Sequence, residues 1–187
     1  LMLLHDSRRR ARLDKNGLYI PLSKQDRSLW NDAQASEGKS ILLAALALSR
    51  PGVFQIQAAI SAVHSDAQQS SDTDWVQICG LYRALIDHVD SPVIRLNYLV
   101  ARAQIEGHAA MLAELEDLDA TLKNYQPYQA AKAEFLREAG DGNRAISCYR
   151  EAIRLTSNNA EKAYLADQLQ VLMAVSYTHL TLPTIPQ

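Results

Sequence analysis

Cysteine is scarce in this chain. Of 187 residues only Cys79 and Cys148 are thiols. Neither belongs to a C-x-x-C pair or a Cys/His cluster, so the spacing of a structural zinc site is missing. Both sit in apolar, helix-like segments, where a reduced thiol behaves as a small hydrophobe. Long hydrophobic runs are lacking too. The longest, Ile41 to Leu48, is far short of the ~20 residues that cross a bilayer, and no signal-peptide pattern is present. A cytoplasmic, reducing location and no membrane partner are the expectation.

Catalytic patterns are equally thin. The five histidines, His5, His64, His88, His108 and His179, form neither H-E-x-x-H nor any other ligand spacing. No serine or cysteine has the strand–turn–helix context of a nucleophile elbow. The stretch "EGKSILLA" (Glu37–Ala44) invites a phosphate-loop reading. Ala33 stands where that motif needs its first glycine, and the preceding segment is helical rather than a strand. The acidic run "ELEDLD" (Glu114–Asp119) reads as a solvated helix face. His64, on the small-residue helix "QAAISAVH", reads as a packed or capping histidine. The sequence therefore points away from an enzyme, and no cofactor or metal is expected.

What is present is an ordinary globular composition, 48% hydrophobic and 21% charged. A chain of this length buries roughly 70% of its unfolded surface. Charge is divided unevenly. Residues 1–27 carry seven Arg/Lys and three Asp, a balance of +4, whereas residues 28–174 carry twelve basic and eighteen acidic groups, a balance of −6. A body with acidic excess is a poor neutraliser of phosphates, so no direct DNA contact is expected from it.

Along the chain, "ARLDKNGLYIPL" (Ala11–Leu22) is the one β signal. Asn16-Gly17 favours the left-handed backbone of a tight turn, which predicts a short β-hairpin at about 11–21. Helices are then predicted at about 24–48, with a break near Gly38, and at 53–65. Thr73 or Asp72 would cap the next, from Trp75 to Val89. Others follow at about 93–106, 109–120, 127–139 and 143–156, and a last one after an Asn158/Glu161 capping box, to about Ala174.

The helix pairs repeat. Gly107 and Gly140 are 33 residues apart. The unit "YQAAKAEFLREAGDGNRAISCYREAIRL" places small residues at Ala133, Ala145 and Ala152, large ones at Leu136 and Tyr149, and Gly140 in the turn. It resembles a tetratricopeptide (TPR) repeat, whose period is 34 residues. The fold expectation is all-α, a TPR-like array of antiparallel helix pairs with a short N-terminal β-hairpin. Residues 1–22 would hold a truncated helix end plus the hairpin, 23–174 the helical domain, and 175–187 a non-native tail. Ala133, Leu136, Ala145, Tyr149 and Ala152 should face inward; Arg137, Arg144 and Arg150 should face out.

"RRRAR" (Arg8–Arg12) is the single dense basic cluster. It suits an acidic partner surface, or simply a solvated turn after a helix end. The order of features then becomes informative: "LMLLHDSRRRARLDKNGLYIPLSKQDRSLW", "FQIQAAISAVHSDA", "TDWVQICGLYRALIDHVDSPVIRLN" and the TPR-like unit. Together these resemble the C-terminal extension of a group of bacterial extracytoplasmic-function (ECF) sigma factors, over residues 1–174. The resemblance implies that regions binding promoter DNA and the RNA polymerase core would precede Leu1, and that the chain is a fragment of such a protein. Its partners would be those sigma regions and the polymerase core. The last segment, "VSYTHLTLPT" from Val175, is similar to the in-frame translation of a common transposon-based sequencing adapter, so residues 175–187 are expected to be read-through.

On this reading Arg8, Arg9, Arg10 and Arg12 are the exposed contact charges. Asp26, Arg27 and Trp30 would fix the hairpin against the first helix. Asn97, Gln104 and Arg137 would remain for a peptide or protein ligand on the helix pairs. The competing reading is a free-standing TPR-like adaptor that binds peptides and has no link to transcription.

Overall fold

A computed structural model describes residues 1–180, with side chains through Ala174. All regular structure among them is helical. The chain divides into two compact units, Leu1–Glu106 and Gly107–Gln187.

The first unit opens with α1 (Met2–Asp6). Five residues are too few to hold a helix by themselves, and burial of Leu4, with no exposed surface, anchors it. Leu4 packs with Leu42, Ala58 and Ala62, which lie on α2 (Asp32–Leu46) and α3 (Val53–Asp66). Gly38 makes that approach possible. A Cβ there would lie 3.0 Å from Leu4 Cγ and 3.3 Å from Leu3 Cβ. Ser7 closes the turn, its hydroxyl donating to Leu4 O and its carbonyl accepting from Asn31 N.

The predicted β-hairpin is not formed. Leu13 and Tyr19 make a single antiparallel bridge, and no strand occurs among the described residues. The turn itself is as read: Gly17 has φ +78°. However, Asp14 Oδ1 accepts from both Asn16 N and Leu18 N at 2.8 Å, a local cap that competes with a ladder. Arg9–Ala11 before it is a 3₁₀ turn, and Pro21 after it lacks a donor, so neither arm can extend.

The helix predicted from about 24 starts later, at Asp32. Two 3₁₀ turns, Leu22–Lys24 and Arg27–Leu29, take up the earlier residues. Asn31 caps α2 by accepting from Gln34 N. The helix runs unbroken through Gly38, because the close contact with α1 uses the glycine without bending it. Ser49, with φ +54°, and Pro51 end it.

Asp74, rather than Thr73 or Asp72, caps α4 (Trp75–His88), accepting from Gln77 N at 2.8 Å. Thr73 is buried and engaged elsewhere. α5 is Pro92–Glu106. α3, α4 and α5 pack in sequence, around Ile56, Ile60, Val63, Ile78, Leu85 and Ala101.

The second unit contains α6 (His108–Glu116), α7 (Asp119–Leu122), α8 (Gln126–Glu138), α9 (Gly142–Leu155) and α10 (Asn159–Leu180). The single helix expected at about 109–120 is thus split into α6 and α7. α8 ends in a Schellman turn: Gly140 has φ +83°, its N–H reaches Arg137 O, and Asp141 N reaches Leu136 O. Asp141 then caps α9 through Arg144 N. Ala133, Leu136, Ala145, Tyr149 and Ala152 are all buried, with Leu165 and Leu172 of α10 completing their cluster. Arg137, Arg144 and Arg150 are exposed.

Most of the acidic run is the solvated face expected, with Glu114, Asp117 and Asp119 exposed, but it is also paired. Leu115 is fully buried, Glu116 pairs with Arg144 and Lys132, and Asp119 accepts from Lys132 Nζ and from the hydroxyl of buried Tyr128. At α10 half of the expected capping box is present. Asn158 Oδ1 accepts from Ala160 N and Glu161 N, but Glu161 reaches Thr156 Oγ1 instead of the Asn158 amide. The helix expected to stop near Ala174 continues to Leu180, since extension of an existing helix adds one bond per residue and the first proline is Pro183. The remaining tail residues lie outside the described ones.

Candidate functional site

Of the predicted contact residues, Arg8 and Arg27 meet at Trp30, which is 7% exposed. Two guanidinium groups approach its indole. Arg27 Cζ stands 4.9 Å from the ring centroid and Arg8 Cζ 5.7 Å from it, both within cation–π range.

Arg27 does more than stack. Its Nη1 donates to His64 O at 2.6 Å and Ala67 O at 2.8 Å, and its Nη2 to Thr73 Oγ1 at 3.1 Å. The first two are carbonyls from the last turn and C-cap of α3. Arg27 therefore caps that helix end and ties it to the residue before α4. The two Nη groups of the planar guanidinium serve acceptors on different segments, a span that the single nitrogen of an ammonium lacks. Asp26 holds the 3₁₀ turn that carries Arg27 by accepting from Ser28 N and Ser28 Oγ; these bonds keep its carboxyl below the usual range.

This corrects two expectations. Asp26, Arg27 and Trp30 do not clamp a hairpin to the first helix; Arg27 and Trp30 knit the 3₁₀ turns to α3. Arg8 is not an exposed charge. It is half-buried, because its guanidinium covers the Trp30 ring. Burial, then Arg12 and Arg27, lower its affinity for a proton.

Arg9, Arg10 and Arg12 are exposed. Arg9 lies 4.0 Å from Asp6 in an exposed pair, and Arg12 donates to His5 O at 2.6 Å, near the end of α1. His64 is packed as expected, edge-on to Trp75 at 5.4 Å. Burial, with Arg8 and Arg27 nearby, depresses its imidazole to about 4. His5 lies 3.0 Å from Ser61 Oγ, and burial, then Arg8 and Arg12, lower it too.

The other predicted residues are elsewhere. Asn97 and Gln104 are exposed on α5, seven residues and so about two turns apart on one face. Arg137 is exposed on α8, where its guanidinium is held by Glu134 and Glu138. Burial works against the charge on Glu134, but bonds from Arg137 and from the Tyr149 hydroxyl at 2.8 Å keep its carboxyl below the usual range. Arg137 is thus engaged within the second unit.

Sequence reasoning missed His64 as a member of the Trp30 cluster, and missed Thr73 as an acceptor. The spacing between Arg27 and the α3 terminus holds no local signal, since the contact spans 37 to 46 residues. Cys79 and Cys148 are free and half-buried, and burial raises both thiols. Among the described residues no group of three or more His, Cys, Asp or Glu could hold a metal ion, and no helix is long and apolar enough to cross a membrane.

Residues 1–46 match a model described as "Family of unknown function (DUF6596)". That segment contains Arg8, Arg9, Arg10, Arg12, Asp26, Arg27 and Trp30. The chain is also similar to an uncharacterized protein of Rhizobium meliloti (strain 1021), 40% identical over 174 residues, which are 93% of this chain and 41% of the relative. The chain therefore spans less than half the length of that relative. No solved structure matches.

Proposed function

We propose that this chain is a protein-interaction and regulatory module of a longer bacterial ECF sigma factor, acting in the cytoplasm on transcription initiation. Its front segment, Leu1 to Trp30, is the zone that meets the sigma regions of the parent chain. The observation that carries this reading is the coincidence of three things in one stretch: the ECF-like sequence order, the family match over residues 1–46, and exposed Arg9, Arg10 and Arg12. The greater length of the similar Rhizobium protein is in keeping with it. Exposed ion pairs contribute ~0.2–1 kcal/mol each, so the arginines act as a group and weaken with salt. The module is not an enzyme, and the polymerase core is engaged through the sigma regions.

The helix pairs form a TPR-like array in this reading. The α8–α9 pair supports that, with its alanine-lined contact and Schellman turn. The same pair favours a second reading, a free-standing peptide-binding adaptor that uses exposed Asn97 and Gln104.

A promoter-reporter assay with the full-length parent protein separates the two. Arg9, Arg10 and Arg12 changed together to Ala should lower output, while the circular-dichroism spectrum of the isolated chain stays unchanged. Full output with intact folding would refute the contact role and leave the adaptor.

A further inference from the structure

Along α2, Gln34, Gly38, Ile41, Ala45 and Leu48 follow one another at steps of four, three, four and three residues. That spacing keeps side chains on one side of a helix, and it is the spacing on which a second helix packs lengthwise. Leu48 falls just past the end of α2, but Ala47 before it still has helical backbone. α1 occupies the first half of this stripe. Gln34 Nε2 donates to Asp6 Oδ2 at 3.0 Å, and Gly38 lies against Leu3 and Leu4. The second half is open. Ile41 is 56% exposed and Leu48 76%, and Ala45 between them is half-buried.

The direction of α1 identifies what fits there. Asp6, at its C-terminal end, meets the start of α2, and Leu3 and Leu4 meet the middle. Leu1 packs, together with Leu46, against the cluster of Leu4 and Leu42. The two helices are therefore antiparallel. A segment that enters Leu1 as helix comes along the Ile41–Leu48 half of the stripe. Leu42 to Leu48 is six residues, about 9 Å of rise, so roughly two helical turns ahead of Leu1 cover it. α3 cannot do so. It is committed to another flank of α2, through Ala58 and Ala62 against Leu42 and through the Lys39–Asp66 pair. The need for a longer α1 is independent: five residues are far fewer than a helix requires to be stable in water.

We propose that Ile41, Ala45 and Leu48 form the docking surface for one helical segment, the two turns of the parent chain directly ahead of Leu1, which continue α1. The side of that segment facing α2 is apolar, to match Ile41 and Leu48. The regions ahead of Leu1 then join this module through a packed helix and not through a free linker. The proposal rests on the part of the regulatory reading that places this chain in a longer protein, in keeping with its 41% coverage of the Rhizobium relative. It does not rest on that protein being a sigma factor.

Cysteine accessibility tests it. Leu48→Cys is made in this chain, in this chain carrying the parent's own residues for about two turns ahead of Leu1, and in the full-length parent protein. Leu43→Cys is the control. Leu43 is 67% exposed and lies about 200° around the helix from Ile41. Maleimide labelling is read by peptide mass spectrometry, which separates each site from Cys79 and Cys148. Leu48→Cys should react about tenfold or more slowly in the extended chain and in the parent, where it is reached only on local opening. Leu43→Cys should react alike in this chain and the extended one. Leu48→Glu should lower the Tm of the extended chain and leave that of this chain unchanged or higher. Equal Leu48→Cys rates in all three proteins would overturn the proposal, as would equal slowing of both cysteines in the extended chain. Protection confined to the full parent would overturn it too, since a distant segment then covers the face. Slow labelling of this chain that is relieved by dilution would do the same, because a second copy then covers it. Promoter output is not read, so a lack of protection leaves the sigma-factor reading to its reporter assay, and a parent without sigma activity leaves this result standing.

Discussion

Arg27 joins three segments that are distant in sequence, and its removal should show it. Arg27→Ala deletes two bonds to α3 carbonyls and one to Thr73 Oγ1. Bonds from a charged donor contribute about 1.5–3 kcal/mol each. The full sum overstates the effect, because Arg27 is only half-buried and carbonyls at a helix end can bond water. Loss of stacking on Trp30 adds ~0.5–1 kcal/mol. A net loss of about 2–4 kcal/mol is expected. Arg27→Lys retains charge and one donor direction but not the fork, so about half of that loss should remain. Urea unfolding followed by tryptophan fluorescence is the assay. Both tryptophans lie in the Leu1–Glu106 unit, so the signal reports that unit. Arg9→Ala, on the exposed surface, is the control and should stay within ~0.5 kcal/mol of wild type. If Arg27→Ala also stays within that margin, the helix-capping role is wrong.

Acid should destabilise the first unit before its carboxylates titrate. The folded His64 imidazole sits at about 4 against 6.5 unfolded, so the unfolded state takes the proton first, and stability falls as pH drops between those values. The loss approaches about 3 kcal/mol at the lower end. His5, also lowered, adds with the same sign; comparing urea midpoints at pH 7 and 5, His64→Gln should show a smaller drop than wild type, and an equal drop would refute the assignment. In the second unit, Tyr149→Ala should cost about 3–5 kcal/mol for its buried ring, and Tyr149→Phe about 1–2 kcal/mol for the bond to Glu134. Far-UV circular dichroism in urea reads both, and a loss under ~1 kcal/mol for Ala would contradict the packing. Gly38→Val should cost about 1–3 kcal/mol by forcing Leu3 and Leu4 away from α2, which fluorescence in urea would detect; a neutral result would mean that α1 shifts freely.

The helical pairs were legible because their signals are local. Ala133, Leu136, Ala145, Tyr149 and Ala152 follow the helix period, and Gly140 marks a turn that needs positive φ. The N-terminal thirty residues were read less well. Asn16-Gly17 predicted its turn correctly, but Asp14 satisfied the nearby amides locally and Pro21 removed a donor, so a ladder never formed. Arg8 and Arg9 look alike in a run of arginines. One is half-buried and the other exposed, and the difference is set by Trp30, twenty-two residues on. Arg27 is singled out by the sequence as a fixing residue, but its partners, His64 O and Ala67 O, come to it only through the packing of α3. Long-range acceptors of this kind leave no periodic trace. The burial of Tyr128 and the pairing of the Glu114–Asp119 run were hidden for the same reason.

The seating of Leu4 against Gly38 has a mechanical consequence. Only Met2 and Leu3 separate Leu1 from Leu4, a side chain with no exposed surface, and α1 touches both α2 and α3. A polypeptide tethered at Leu1 therefore has almost no slack before its load reaches the core. Tension or torque applied there would be borne by the Leu4 contact and passed directly to two long helices, as by a short lever rather than a loose cord.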